Sequence, residues 1–332
     1  MADRNVTTEP DPDRTLGRRE LLTKWVPPLA AGVLLGGAGL ALHGREGRHR
    51  PPDTRAIAVP PDWRVDPSAS GRLATAGGQG PEANLRRALA ALGGIEAFVR
   101  AGERVAIKPN CGWDRAPEQA ANTNPELIAE LVRLCLAAGA AKVTVVDSTC
   151  HDPERTFNRS GIAAAARAAG ADVLHQGTAG TVLLDLDGSE LGPWEVLQPI
   201  VEADRLINVP IVKHHSLARA TVAMKNWIGA VVGRRNSMHQ RLPQVTAELG
   251  AAFRPTLTVV DATRVMVDGG PTGGSLDLVR ALDQVAVTTD QVAADAWGAS
   301  LLGVAPRELP HLQIAARLGL GNVDWSSLRV EA

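Results

Sequence analysis

Tyrosine is absent from this 332-residue chain and phenylalanine occurs only three times, so aromatics make up 3% of it. The core must therefore be built from Ala, Val, Leu and Ile, and a stacking platform for single-stranded nucleic acid is disfavoured. No sign of charge is in excess either. Lys plus Arg total 35 against 36 Asp plus Glu, for a formal net charge of −1. Without a long basic tract, nothing in that balance supports binding to nucleic acid. Cysteine is scarce: Cys111, Cys135 and Cys150 form no CxxC pair and are too few to ligate an iron–sulfur cluster by themselves. GxGxxG, P-loop, HExxH, GxSxG and kinase signatures are all missing.

What is present begins with an address. Arg18-Arg19 precedes Glu20, Leu21, Leu22 and Lys24, and an uncharged run rich in Gly, Ala and Leu extends from Val26 to Leu42. That order resembles a twin-arginine export signal over residues 1–43, cleaved or retained as an anchor. It predicts an extracytoplasmic protein, exported folded by the twin-arginine machinery. Residues 44–55 read as a Pro/Arg linker and residues 56–332 as a single domain.

Within that domain, short β-branched runs alternate with Ala/Leu-rich helical patterns. "RVAIKPN" and "AKVTVVDST" read as strands, the second buried on both faces. "NPELIAELVRLCLAAG" reads as a helix with Asn124 as N-cap, Pro125 in the first turn and Gly139 at its end. Cys135 falls on that helix as a small buried hydrophobe. "TVLLDLDGSE" and "WEVLQPI" predict a hairpin-like excursion. "DRLINVPIVKHH" predicts one long strand and "ATVAMKNWIGAVVG" the helix after it. The alternation predicts an α/β fold, a mostly parallel sheet with helices on both faces in three layers.

Ligands of such sheets bind beyond the carboxyl ends of the strands. There the sequence places Lys108, Asn110 and Cys111, with Asn122 and Thr123 in the adjoining loop. Asp147, Ser148, Thr149, Cys150 and His151 follow the second strand. Lys213, His214 and His215 follow the third, and Asp261 and Thr263 the fourth. Strand alternation allows only one of the two adjacent histidines to face the crevice. Lys225 and Asn226 lie among Ala, Met, Trp and Ile, where a lysine needs a carboxylate, a carbonyl or an anionic ligand as partner. The loop "DGGPTGG", including Gly270, offers backbone N–H groups for an anion nest or merely a turn.

These motifs resemble a known family. "VPIVKHHSLARATVAMKNWIGAVVG", with "IKPN", "NTNPELIAELVRLCLAAGAAKVTVVDS", "DGGPTGG", "TTDQVAADAWGASLLG" and "HLQIAARLGLG", is similar to the domain of unknown function 362 over roughly residues 100–325. The resemblance implies an α/β domain and no established reaction. Many relatives carry an appended ferredoxin-type domain whose cysteines this chain lacks. Its polar pattern maps onto Asn110, Thr123, Asp147, Lys213, His215, Thr221, Lys225, Asn226, His239, Asp290 and Asp295, and selects His215 from the histidine pair.

Two functional classes fit. In the first, the protein is an enzyme. Lys213 and Lys225 hold a small anionic molecule, with Asn110, Thr123, Ser148, Thr221, Asn226, Asp261 and Gly270 lining the site. His215, with Asp147 and His239, then serves as acid/base or holds a divalent metal. In the second, the same pocket belongs to an exported protein that delivers an anion or metal to a membrane or redox partner.

Overall fold

The computed structural model describes residues 57–330 and 332; the expected signal and linker lie outside them. In chain order the strands are β1 (Leu73–Gly77), β2 (Arg104–Pro109), β3 (Lys142–Asp147), β4 (Asp172–His175), β5 (Thr181–Asp185), β6 (Pro193–Leu197), β7 (Arg205–Val209), β8 (Ile211–His215), β9 (Arg219–Thr221), β10 (Leu257–Met266), β11 (Val279–Thr288) and β12 (Arg329–Val330). The α-helices are α1 (Pro81–Ala91), α2 (Pro125–Ala137), α3 (Pro153–Arg159), α4 (Ile162–Ala168), α5 (Gln198–Val201), α6 (Ala223–Asn226), α7 (Leu242–Ala252), α8 (Gln291–Leu301) and α9 (Pro310–Arg317).

The main sheet runs β12-β1-β11-β10-β7-β2-β3-β4, and β8 joins it through β10 and carries β9. Pairings β2–β3, β3–β4, β2–β7, β7–β10 and β8–β10 are parallel. β10–β11, β1–β11 and β8–β9 are antiparallel. Strand alternation divides the apolar side chains between two faces. Val105 and Ile107 of β2 pack with α1, α2 and α4, whereas Ala106 packs with Trp63, α5, α7 and Trp227. On the other half of that second face, Val260 and Ala262 of β10 pack against α8 and α9. Helices therefore cover both faces, in three layers. Each fully buried Val, Leu or Ile contributes roughly 1.5–3 kcal/mol.

Local chemistry explains the element boundaries. Asn124 accepts from the backbone N–H of Glu126 at 3.0 Å, Pro125 follows it, and Gly139 beyond the helix has φ of 90°. The expected hairpin is present as β5–β6.

Two expectations need correction. The single strand "DRLINVPIVKHH" is two, because Pro210 has no N–H for the ladder and hands the chain from β2 and β10 to β10 and β9. The expected helix after it is mostly something else. Its start is β9, α6 is four residues long, and Trp227–Ala230 is a 3₁₀ turn. The sheet is mostly parallel, as expected, with β11 returning antiparallel from the glycine loop at one edge. Among the described residues, no helix is long and apolar enough to cross a membrane.

Candidate functional site

The parallel strands β2, β3, β7 and β8 end at one edge, and the last or next-to-last residue of each, Lys108, Asp147, Asn208 and His215, is polar and buried. Lys108 and Asn208 are paired in register between β2 and β7 and are both fully buried. The Lys108 ammonium forms an ion pair with Asp147 Oδ1 at 2.7 Å and also donates to the Pro109 carbonyl at 2.8 Å and Asn226 Oδ1 at 3.3 Å. Asp147 Oδ2 accepts from the Cys111 N–H at 2.7 Å, and Oδ1 from the Ser148 N–H at 2.8 Å. Burial pushes the Asp147 carboxyl up and the Lys108 ammonium down, and their mutual attraction opposes both shifts. Burial likewise raises the Cys111 thiol far above its ordinary range, so it is an inert neighbour.

Asn226 is the hub beside this pair. Its amide donates to the Pro109 carbonyl at 3.2 Å and to Asn208 Oδ1 at 2.8 Å, while its Oδ1 accepts from Asn110 Nδ2 at 2.9 Å. Asn208 in turn donates to the Ala223 carbonyl at 3.0 Å. The short α6 is thereby tied to the ends of β2 and β7. Its first two N–H groups, of Ala223 and Met224, are both accepted by Asp295 Oδ1 from α8, and Asp295 Oδ2 meets His311 Nε2 at 3.2 Å. Asp295 is therefore a cap, as is Asp290, which accepts from Val292 and Ala293 at the start of α8.

Lys213 lies on β8 and is fully buried, with Asn110 Oδ1 at 2.9 Å and the Ala121 carbonyl as acceptors. Neither acceptor is charged. Burial first, and then the charge of Lys225, pull its ammonium down to about 7. Lys225 is half-buried on α6 and has no hydrogen-bond or ion-pair partner among the described residues; burial brings it down to about 8. Directly opposite Lys213 in the β8–β9 register is Thr221. The hydroxyls of Thr221 and Ser148 are buried and have no hydrogen-bond partner among the described residues.

The two histidines are distinct. His215 is buried, and its Nδ1 accepts from the N–H groups of Leu217 at 3.1 Å and Ala218 at 3.2 Å, so the neutral ring carries its proton on Nε2. Burial, then the charges of Lys225 and Lys213, drive it down to about 3. His214 is more exposed and accepts from the Gly270 N–H at 3.2 Å. His239 is exposed; burial of its ring and the charge of Lys225 lower it.

The sequence-predicted residues thus fall into two groups. Lys213, Lys225, His215, Ser148 and Thr221 retain free chemistry. Asn110, Thr123, Asn226 and Asp261 are engaged as scaffold. Thr123 accepts from the Asn110 N–H and donates to the Val209 carbonyl; Asp261 accepts from Asn124, from the Thr263 N–H and from its hydroxyl. Gly270 serves close packing, since a Cβ there would lie 1.9 Å from the His214 carbonyl oxygen. Asp147 accepts from Lys108 and from two N–H groups, which occupy three of its roughly four acceptor sites and tie it to the scaffold. No cluster of three or more His, Cys, Asp or Glu able to hold a metal occurs among the described residues, so the expected set His215, His239 and Asp147 is not assembled.

Sequence reasoning left out Asn208, Gly229 and Arg235, and placed Lys108 at its strand end without giving it a role. Arg235 donates to the Ser148 carbonyl at 2.8 Å and the Thr149 carbonyl at 2.6 Å, fixing the turn after β3. The available signal was a polar residue inside an apolar strand, Lys108 in "VAIKP" and Asn208 in "RLINV". A cavity of about 480 Å³ opens at the opposite edge of the sheet, among Arg72, Phe98 and Arg254. The polar side chains at its floor, Asp290 and Gln291, are engaged by backbone groups and Trp227.

Among proteins of known sequence, a thylakoid-associated protein of Synechocystis sp. is 27% identical over 247 residues, 72% of this chain and 75% of that protein. Among solved structures, the lactate racemase apoprotein of Thermoanaerobacterium thermosaccharolyticum matches 69% of this chain and 58% of its own, with 14% identity and a TM-score of 0.36. The profile of one family matches residues 105–300, which hold every element of the lysine cluster, and the chain belongs to that family, the domain of unknown function DUF362.

Proposed function

We propose that this protein is an enzyme acting on a small anionic molecule bound at the carboxyl edge of the sheet. The observation that carries the reading is the pair of buried or half-buried lysines, Lys213 and Lys225, neither of which has a carboxylate partner among the described residues. Two ammonium groups removed from water without counter-charge are costly, and an anionic ligand offsets that cost. Their position near neutrality, at about 7 and about 8, favours an enzyme over a carrier. A carrier gains most from ammonium groups that stay charged, whereas an amine that titrates near pH 7 exchanges protons efficiently. His215, neutral and with Nε2 bearing its proton, is a hydrogen-bond donor rather than a base near pH 7.

The paired arginines and apolar run at the N-terminus support export in a folded state by the twin-arginine machinery, with the site facing the extracytoplasmic side. That the Synechocystis relative is described as thylakoid-associated fits a place at or near a membrane.

Isothermal titration of the full-length protein with oxalate and with inorganic phosphate at pH 7 tests the anion site. Binding of at least one is expected, and Lys225→Ala is expected to weaken it at least about tenfold, roughly 1.4 kcal/mol. Equal binding by wild type and Lys225→Ala would remove the reading.

A further inference from the structure

Four lysines lie among the described residues, and three have fixed partners: Lys108 with Asp147, Lys142 with Asp172, and Lys213 with Asn110 and the Ala121 carbonyl. Lys225 alone has none. It projects from a four-residue helix whose position is fixed at both ends, by Asp295 at Ala223 and Met224 and by Asn226 on β2 and β7. A long side chain on so firmly held a turn is a positioned amine rather than a solvated surface group. Around it stand Lys213, His215, His239 and Cys150, all within electrostatic reach.

The neighbourhood also contains unfilled carboxylate donors. An ammonium has three protons to donate, and Lys213 uses two, on Asn110 and Ala121. The buried Thr221 hydroxyl opposite it and the buried Ser148 hydroxyl have no partner among the described residues. A buried donor left without an acceptor costs about 1–3 kcal/mol, so these groups favour a ligand with several acceptor oxygens. Free donors beside Lys213 and the unpartnered primary amine of Lys225 are together complementary to a molecule with a carboxylate at one end and a carbonyl carbon a few bonds away.

Resting on the anion-site reading above, we propose that the substrate class is short-chain oxo acids and that Lys225 bonds them covalently as an imine, while Lys213 and Thr221 hold the carboxylate. In the step itself the neutral Lys225 nitrogen adds its lone pair to the carbonyl carbon. The zwitterionic adduct passes one nitrogen proton to its oxygen to give the carbinolamine; the second nitrogen proton then follows to that oxygen as the C–O bond breaks, and one water leaves as C=N forms. No oxidant, reductant or further reactant is needed. The lowering of Lys225 to about 8 keeps a useful fraction of the amine neutral near pH 7.

Full-length protein is incubated separately with pyruvate, glyoxylate, 2-oxoglutarate and acetoacetate, reduced with borohydride, and mapped by peptide mass spectrometry. At least one oxo acid is expected to leave its reduced adduct on Lys225, in at least tenfold greater yield than on exposed Lys142. The adduct is expected to vanish in Lys225→Arg, which retains the charge and cannot form an imine, with circular dichroism reporting its fold. Lys142→Ala is expected to label as wild type does. If oxalate binds but no oxo acid labels Lys225, the imine is overturned and the anion site stands. If oxalate, phosphate and the oxo acids all fail to bind, both fall. Labelling spread equally over Lys225 and Lys142 also overturns the proposal.

Discussion

Gly229 decides whether the buried ion pair can exist. A Cβ at this position would lie 2.1 Å from Asp147 Oδ1 and 2.7 Å from Lys108 Nζ, distances that no side chain tolerates. The Gly229 carbonyl also accepts the Ser148 N–H at 2.9 Å, so the backbone here cannot withdraw without losing that bond. Gly229→Ala is therefore expected to separate two charges that have no access to water. Overpacking of a core costs typically 1–3 kcal/mol, and breaking a buried pair costs about 3–5 kcal/mol. A loss of about 3 kcal/mol in urea unfolding, with an unchanged slope, is the expected result; a loss below about 1 kcal/mol would mean that the pair relocates freely. The pair was only half legible in the sequence. Asp147 ends an apolar strand and attracts notice, but its function is to neutralise Lys108. That relation joins β2 to β3 across thirty-nine positions, far beyond the reach of a local pattern.

At the scale of elements, α6 is the least self-sufficient piece of the fold. Four residues cannot hold a helix by propagation alone, because nucleation fixes several dihedrals for one hydrogen bond. Its stability is imported. Asp295, seventy-two residues beyond Ala223, accepts its first two N–H groups, and Asn208 accepts Asn226 while donating to Ala223. Asp295→Ala leaves those N–H groups and His311 without an acceptor, so a loss of about 2–3 kcal/mol is expected in thermal or urea unfolding. Because Lys225 sits one turn away, oxalate affinity is expected to fall as well, with Asp295→Asn partly restoring both. Unaltered anion binding in a destabilised Asp295→Ala would show that α6 does not position the lysine. The same dependence explains why the sequence misplaces this element. "ATVAMKNWIGAVVG" is apolar nearly throughout and so lacks the periodicity that separates helix from strand. The strands β2, β3 and β10 and the helices α2 and α8 were legible because their patterns and caps are local. Pro210 announced a break in β7–β8 that the apolar run around it concealed.

For the molecule as a whole, the cluster sets an unusual pH dependence. His215 lies at about 3 in the fold against an ordinary value of 6.5, so the unfolded chain binds its proton more readily. The stability this provides is complete above pH 6.5 and is lost as pH falls towards 3, by roughly 1.4 kcal/mol per unit. Lys213 lies at about 7 against 10.5. The cost of burying its charge is complete below pH 7 and is relieved as pH rises from 7 towards 10.5. Buried Lys108 acts in the same direction; the raised carboxyls of Asp147, Asp261 and Asp290 oppose the rise once pH passes their ordinary value of 3.8, and the raised thiols of Cys111 and Cys135 oppose it only past 9. Stability is thus expected to rise from pH 5 to 7 and again from pH 7 to 8.5. His215 contributes about 2 kcal/mol over the first interval and Lys213 about 2 kcal/mol over the second, and His215→Gln should flatten the first. Urea unfolding at the three pH values measures this, and a maximum at or below pH 7 would contradict it. Anion binding must run the other way, since it needs the ammonium forms that disappear above pH 8. Oxalate is therefore expected to raise the unfolding midpoint most at pH 6–7, where the lysine charges are present and uncompensated. At pH 9 it is expected to raise it little. A molecule that is least relieved of its own charge where its ligand binds best is one whose site, rather than its core, sets the working pH.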